Sequence, residues 1–162
     1  GDEISLLIIH NVSLPPGQFA TGKVKEFFQN RLDVTEHPYF EGISALRVSA
    51  HFLIERDGTV TQFVSCFDRA WHAGVSSFEG RETCNDFSLG IELEGTDELP
   101  FTDAQYQALT TLTRQLQMQF PAITRHRICG HSDVAPGRKT DPGPAFDWTR
   151  FRSALQHTGD KQ

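Results

Sequence analysis

The chain reads as one α/β domain, a central sheet with helices packed against it. Three observations predict this class. Short apolar or alternating runs bounded by turn residues recur along the chain, two amphipathic segments carry helix start signals, and 162 residues suit a single core. No repeat, low-complexity tract or linker divides residues 1–162.

Taken in order, residues 4–10 are a continuous apolar run ending in His10, the pattern of a buried strand. A long connection over 11–46 contains Pro15-Pro16-Gly17 and a short helix around 23–31. Residues 48–55 alternate, with Val48, Ala50, Phe52 and Ile54 on one face and Ser49, His51 and Leu53 on the other. Arg56-Asp57-Gly58 turns the chain into a second hairpin arm at 59–64. In 87–94, Leu89, Ile91 and Leu93 share one face of a strand, and Ser88, Glu92 and Glu94 the other. The clearest helix covers 102–119: Thr102 is its N-cap, Gln105 stands three residues on, and Tyr106, Leu109, Leu112, Leu116 and Phe120 recur at helical spacing until Pro121. A weaker strand at 127–129 and an irregular stretch at 130–144 lead to a last helix over 147–156. Asp147 caps it, and Trp148, Phe151 and Leu155 face the core.

Composition narrows the function. Apolar residues make up 38 % and charged residues 22 %, which is core-forming rather than disordered. A net charge of -6 is the wrong sign for displacing counterions from phosphates, so no nucleic-acid partner is expected. The longest aliphatic run, Leu6-Leu7-Ile8-Ile9, is far short of the ~20 apolar residues that span a bilayer, so no membrane partner is expected either. Cys66, Cys84 and Cys129 are an odd set without a C-x-x-C pair, which favours a reducing compartment. Met118 is the only methionine, so the chain is expected to be a processed or trimmed product.

Gly17 to Lys23 fits G-x-x-x-x-G-K, but Val24 stands where a phosphate loop needs Ser or Thr, and no strand directly precedes it. Neither G-x-S-x-G nor H-E-x-x-H occurs. Of seven histidines, His37, His126 and His157 sit in polar or terminal settings, and His51 and His72 read as satisfied interior residues. His10 ends a buried strand, His131 follows a weak one, and Asp141 lies ten residues further on. Two imidazoles, a carboxylate and an open position make a catalytic zinc site. Spacing does not single this set out, because His10 and His131 are far apart in the chain. On its own, Glu92 reads as a solvated strand carboxylate like Glu94, and Lys139 as a surface lysine beside Arg138.

The segments LLIIHNVSLPPG, LRVSAHFLIERDGTV, RAWHAGVSSF, CNDFSLGIELEGTD, FTDAQYQAL and GHSDVAPGRKTDPGPAFDW resemble those of the AmpD-type N-acetylmuramoyl-L-alanine amidases, zinc enzymes of the amidase-2 and peptidoglycan-recognition superfamily. The resemblance runs from about Leu6 to Arg152 and leaves out an N-terminal stretch that family members usually carry. It implies a mixed central sheet flanked by helices, zinc held by His10, His131 and Asp141, Glu92 as the catalytic carboxylate and Lys139 as the catalytic lysine. Phage-lysozyme and animal relatives usually have Cys at the Asp141 position and Tyr at the Ala50 position, so a tyrosine-assisted step at Ala50 is excluded. Thr83 stands where AmpD-type sequences often have Arg before Cys-Asn-Asp, a departure at one expected substrate contact. Asn11, Arg47, Trp71 and Arg138 are the expected contacts to the muropeptide.

The implied activity is hydrolysis of the amide between the lactyl group of 1,6-anhydro-N-acetylmuramic acid and L-alanine, by a monomer in the bacterial cytoplasm during peptidoglycan recycling. Loss of such an enzyme would alter β-lactamase induction where that system is inducible, because the fragments are the signal. The alternatives are a phage-type or exported amidase acting on intact peptidoglycan, and a module that binds muropeptide without cutting it.

Overall fold

The computed structural model describes residues 3–159, with side chains as far as residue 156. In chain order it contains β1 (Leu6–Val12), α1 (Lys23–Phe28), α2 (Pro38–Ile43), β2 (Phe52–Ile54), β3 (Val60–Gln62), the two-residue strands β4 (Ser77–Phe78) and β5 (Arg81–Glu82), β6 (Ser88–Glu94), α3 (Asp103–Gln119), β7 (Ile128–Gly130), α4 (His131–Val134) and α5 (Trp148–Gly159). The main sheet has the order β3-β2-β6-β1-β7. The three pairings that join β2, β6, β1 and β7 are parallel, and β3 runs antiparallel along β2. This is the mixed sheet with flanking helices that the family resemblance implied.

Strands β1 and β6 are buried on both faces, as parallel strands covered on each side must be. One face carries Leu7, Ile9, Phe52, Ile54, Leu89, Ile91 and Leu93 and packs on Tyr106, Leu109, Leu112 and Leu116 of α3 and Phe151 of α5. Thr102 and Gln105 form a reciprocal capping box at the start of α3, each accepting a backbone N–H from the other at 3.1 Å. The Gln105 amide also donates to the carbonyls of Ile54 (3.2 Å) and Glu94 (2.8 Å), which pins α3 to the C-terminal ends of β2 and β6. Asp147 caps α5 by accepting from Arg150 N at 2.9 Å.

The opposite face is divided. Leu6, Ile8, Ala73, Cys84, Phe87, Cys129 and Val134 form one apolar cluster, and Leu14, Val24, Phe28, Phe40, Ala50 and Leu53 form another. Between them the sheet carries polar side chains.

Several expectations need correction. Strand β1 begins at Leu6 and continues to Val12, past the expected end at His10. In 48–55 only Phe52–Ile54 is strand, and Ala50 packs with Leu53 rather than beside Phe52 and Ile54. Helix α2 within the long connection was not foreseen, although Pro38 at its first turn and a His37 cap are recognisable start signals. A short helix also interrupts the expected irregular stretch after Gly130. Glu94 is buried rather than solvated, accepting from Ala20 N (2.8 Å) and Arg56 N (3.1 Å). Lys23, the lysine of the false phosphate loop, is paired with Glu26 and Glu36. His126 is exposed and His37 half-buried, while the placement expected of His157 lies outside the described side chains.

Candidate active site

Register assembles the site. In the β1–β6 pairing His10 stands opposite Glu92, and in the β1–β7 pairing Ile9 stands opposite Gly130, so His131 begins the next row. Three residues far apart in sequence thus meet at the C-terminal end of parallel strands, where open α/β sheets place their ligands. The loop bearing Asp141 closes onto the same row. Ser132 N donates to Asp141 O at 3.0 Å, and Pro142 packs so tightly on Gly130 that a Cβ there would lie 2.7 Å from the proline ring.

His10, His131 and Asp141 present ligand atoms that all lie within 4.8 Å of one another. His10 Nδ1 is 3.0 Å from His131 Nδ1 and 3.3 Å from Asp141 Oδ2, and His131 Nδ1 is 3.2 Å from Asp141 Oδ1. Four-coordinate zinc with N and O bonds of about 2.0–2.1 Å separates neighbouring ligands by about 3.3 Å, so these spacings fit the ion. Tautomers support the fit. His131 Nε2 lies 2.9 Å from the carbonyl of Ala73, which only accepts; that nitrogen carries the proton, and Nδ1 turns its lone pair to the site.

Electrostatics separate the two carboxylates. Burial alone would raise the Asp141 carboxyl, but hydrogen bonds to His10 and His131 outweigh it and hold Asp141 below the usual carboxylate range. Glu92 goes the other way. Burial, reinforced by the Asp141 charge and only partly offset by Lys139, raises it well above its ordinary value. Its Oε1 lies 3.8 Å from His10 Nδ1, and its Oε2 is buried without a hydrogen-bond partner among the described residues. An unpartnered buried oxygen beside a donor set of this kind suits a proton acceptor. Burial likewise lowers His10 below the ordinary imidazole value, favouring the neutral, ligating form.

One consequence is testable without substrate. Because the folded pKa of Glu92 is raised, its contribution to stability is fully present below the unfolded carboxyl value of about 4.3 and is lost as pH rises through the folded value. In metal-stripped protein, Glu92→Gln should therefore gain stability over the parent, and the gain should be larger at about pH 8 than at about pH 5. Urea midpoints of both proteins at the two pH values check this; a gain that does not change with pH would contradict it.

The cleft holding these groups measures about 1010 Å³. Lys139, Asn11, Arg47, Trp71 and Arg138 all line it. Trp71 is exposed and carries Arg69 over its ring at 4.3 Å. Arg138 donates from Nη2 to the carbonyls of Ala73 (2.6 Å) and Val75 (2.8 Å). Asn11 donates from Nδ2 to Asp97 Oδ1 (2.7 Å) and to the carbonyl of Pro142 (3.0 Å), so both its amide hydrogens hold the protein together. Thr83 lies outside this cleft, in a neighbouring depression shared with Trp71 and Arg138.

Two organising residues were missed in the sequence. Asp97 accepts from Asn11 and from Thr140 Oγ1, and its carbonyl accepts from Ala145 N at 3.0 Å, tying the Asp141 loop to β1. Asn85 accepts from the backbone N–H groups of His72 (3.2 Å) and Ala73 (2.9 Å) and fixes the segment facing both histidines. Asp97 was detectable only as a polar residue just past the C-terminal end of a buried strand. His51, by contrast, is the satisfied interior histidine expected: Nδ1 accepts from Gly90 N at 3.1 Å and Nε2 donates to Asp68 O at 2.8 Å.

Known proteins are similar to this chain along most of its length. Residues 1–144 match the family described as N-acetylmuramoyl-L-alanine amidase. The chain is 58 % identical over 154 residues to the 1,6-anhydro-N-acetylmuramyl-L-alanine amidase AmpD of Haemophilus influenzae, covering 95 % of this chain and 84 % of that one. Identity to AmpD of Citrobacter freundii is 56 % over 158 residues, covering 98 % and 84 %. A crystal structure of a selenomethionine AmpD derivative superposes with a TM-score of 0.93 at 56 % identity, covering 95 % of this chain and 86 % of that one. Escherichia coli AmiD, solved with anhydro-N-acetylmuramic acid-L-Ala-D-gamma-Glu-L-Lys, gives 0.69 at 27 % identity, covering 93 % and 57 %. With its fold and nearly its whole length shared at this level of identity, the chain belongs to the N-acetylmuramoyl-L-alanine amidase family.

Proposed function

We propose that the chain is a zinc-dependent amidase that hydrolyses the amide between the lactyl group of 1,6-anhydro-N-acetylmuramic acid and L-alanine in soluble muropeptides. The observation that carries this reading is the convergence of His10, His131 and Asp141 within 4.8 Å, with the unpartnered Glu92 oxygen beside them. Zinc held by those three residues would act as a Lewis acid on the scissile carbonyl and make water a nucleophile near neutral pH.

The chain's own residues do the rest. Glu92 takes a proton from the attacking water and delivers it to the leaving amine of L-alanine, a two-way role that a raised pKa favours. Lys139, on the same cleft, presents its ammonium to the oxyanion that develops on the carbonyl. Asn11, Arg47, Trp71 and Arg138 contact the sugar and stem peptide; the Trp71 ring offers an apolar surface and the arginines suit carboxylates. Because the Asn11 amide hydrogens are engaged, its carbonyl oxygen is the atom left for substrate.

All three cysteines are free and buried, which suits a reducing cytoplasm. Among the described residues no helix is long and apolar enough to cross a membrane. The enzyme acts as a monomer on small fragments. A net charge of -6 disfavours adsorption to an often polyanionic wall, an effect that weakens as salt rises. Accordingly, kcat/KM on anhydro-muramyl-tripeptide should greatly exceed the rate of peptide release from purified sacculi, at low and at high salt. Comparable cleavage of both would overturn this substrate choice in favour of an amidase of intact wall.

A further inference from the structure

His72 is buried at the floor of the cleft and hydrogen-bonds the donor set through His10. Its Nδ1 lies 3.0 Å from His10 Nε2, and its own Nε2 lies 3.3 Å from Ser88 Oγ. The two rings meet edge to face, with centroids 5.1 Å apart. Everything around His72 holds that pose. Asn85 binds its backbone N–H, and strand β6 places Gly90 directly under the imidazole, where a Cβ would come within 2.5 Å of the ring. Ser88 and Gly90 are the small members of the β6 row that also carries Glu92, so the strand leaves room for this ring while the row delivers the catalytic carboxylate.

His10 can offer Nδ1 to a metal only if its proton sits on Nε2. Among the described residues His72 is the hydrogen-bond partner of that nitrogen, and a buried N–H left without an acceptor is destabilising. We propose that His72 is a positioning residue for the metal centre: its Nδ1 accepts the His10 Nε2–H while its Nε2–H is donated to Ser88, so that the chain His10–His72–Ser88 fixes the ligating tautomer and ring plane of His10. The other histidine of the donor set is fixed by the adjacent residue, since Ala73 O accepts from His131 Nε2. One short segment, itself held by Asn85, therefore orients both imidazoles. Outer partners of this kind typically change metal affinity by about 10–100-fold. The inference rests on the zinc reading above.

The test is zinc affinity by chelator competition, with far-UV circular dichroism to report folding. The parent should bind one zinc tightly; His72→Phe, similar in shape but lacking an acceptor, should bind it about 10–100-fold more weakly. His72→Gln, whose carbonyl can accept from His10 and whose amide can donate to Ser88, should recover a large part of that loss. Should the Phe variant fail to fold, nitrogen-15 NMR of the zinc-loaded parent decides the matter: His72 should carry its proton on Nε2 and none on Nδ1. Parental zinc affinity in His72→Phe, or a protonated His72 Nδ1, would overturn the role of His72 while leaving the zinc site intact. A parent that binds no zinc would instead remove the metal reading itself, and this inference with it.

Discussion

Glu92→Ala should keep its zinc and lose kcat by roughly 10²–10⁴-fold, the usual range for removing a positioned acid–base group. The structure separates the two properties. Glu92 lies 3.8 Å from the nearest histidine nitrogen, outside the trio whose atoms approach one another at 3.0 to 3.3 Å, and one of its oxygens has no partner among the described residues. Removing it takes away a proton carrier without opening the donor set. Lys139→Ala should behave alike in metal content and fall by a comparable factor, because a lost oxyanion donor costs roughly 10²–10³-fold. Metal analysis beside single-turnover kinetics reads both quantities. Loss of zinc from Glu92→Ala, or normal turnover by Lys139→Ala, would reassign the roles.

Asp141→Ala should instead lose the metal. Its carboxylate bridges the two histidines, at 3.3 Å from His10 Nδ1 and 3.2 Å from His131 Nδ1. Those contacts hold it ionised against the cost of burial. Without it, two neutral imidazoles share the site, and the third protein ligand of a catalytic zinc is gone. Activity in the variant should drop to background at stoichiometric zinc and should return in part, if at all, only with excess metal. Chelation of the parent should have the same effect and be reversed by zinc. An Asp141→Ala protein with full zinc content and unchanged kcat would show that the ion is held elsewhere.

How much of this was legible in the sequence follows from which signals are local. Helix α3 was, because Thr102, Gln105 and the apolar spacing to Leu116 encode the cap and the buried face within one segment. Strand β6 was, because Leu89, Ile91 and Leu93 alternate with Ser88, Glu92 and Glu94. The stretch 48–55 was misread because β2 is an inner strand buried on both faces, so its alternation did not separate core from solvent. Local pattern also misjudged Glu94, whose burial depends on Ala20 and Arg56 arriving from distant segments. For the site itself, residue chemistry offered His10, His131 and Asp141 as donors but did not join them. Joining them requires the β6-β1-β7 register, which brings residues 121 positions apart into contact. The family resemblance supplies that grouping from the sequence. It did not supply His72, Asn85 or Asp97 as organising residues, since what they do appears only once the sheet is assembled.

The most direct test is to identify the products of anhydro-muramyl-tripeptide by mass spectrometry, using zinc-loaded, metal-stripped and zinc-restored protein at equal concentration. Zinc-loaded and restored protein should release free 1,6-anhydro-N-acetylmuramic acid and intact tripeptide, and stripped protein should release neither. Cleavage at a peptide bond within the tripeptide, or full activity in protein verified to be metal-free, would contradict the assignment of His10, His131, Asp141 and Glu92 to this reaction.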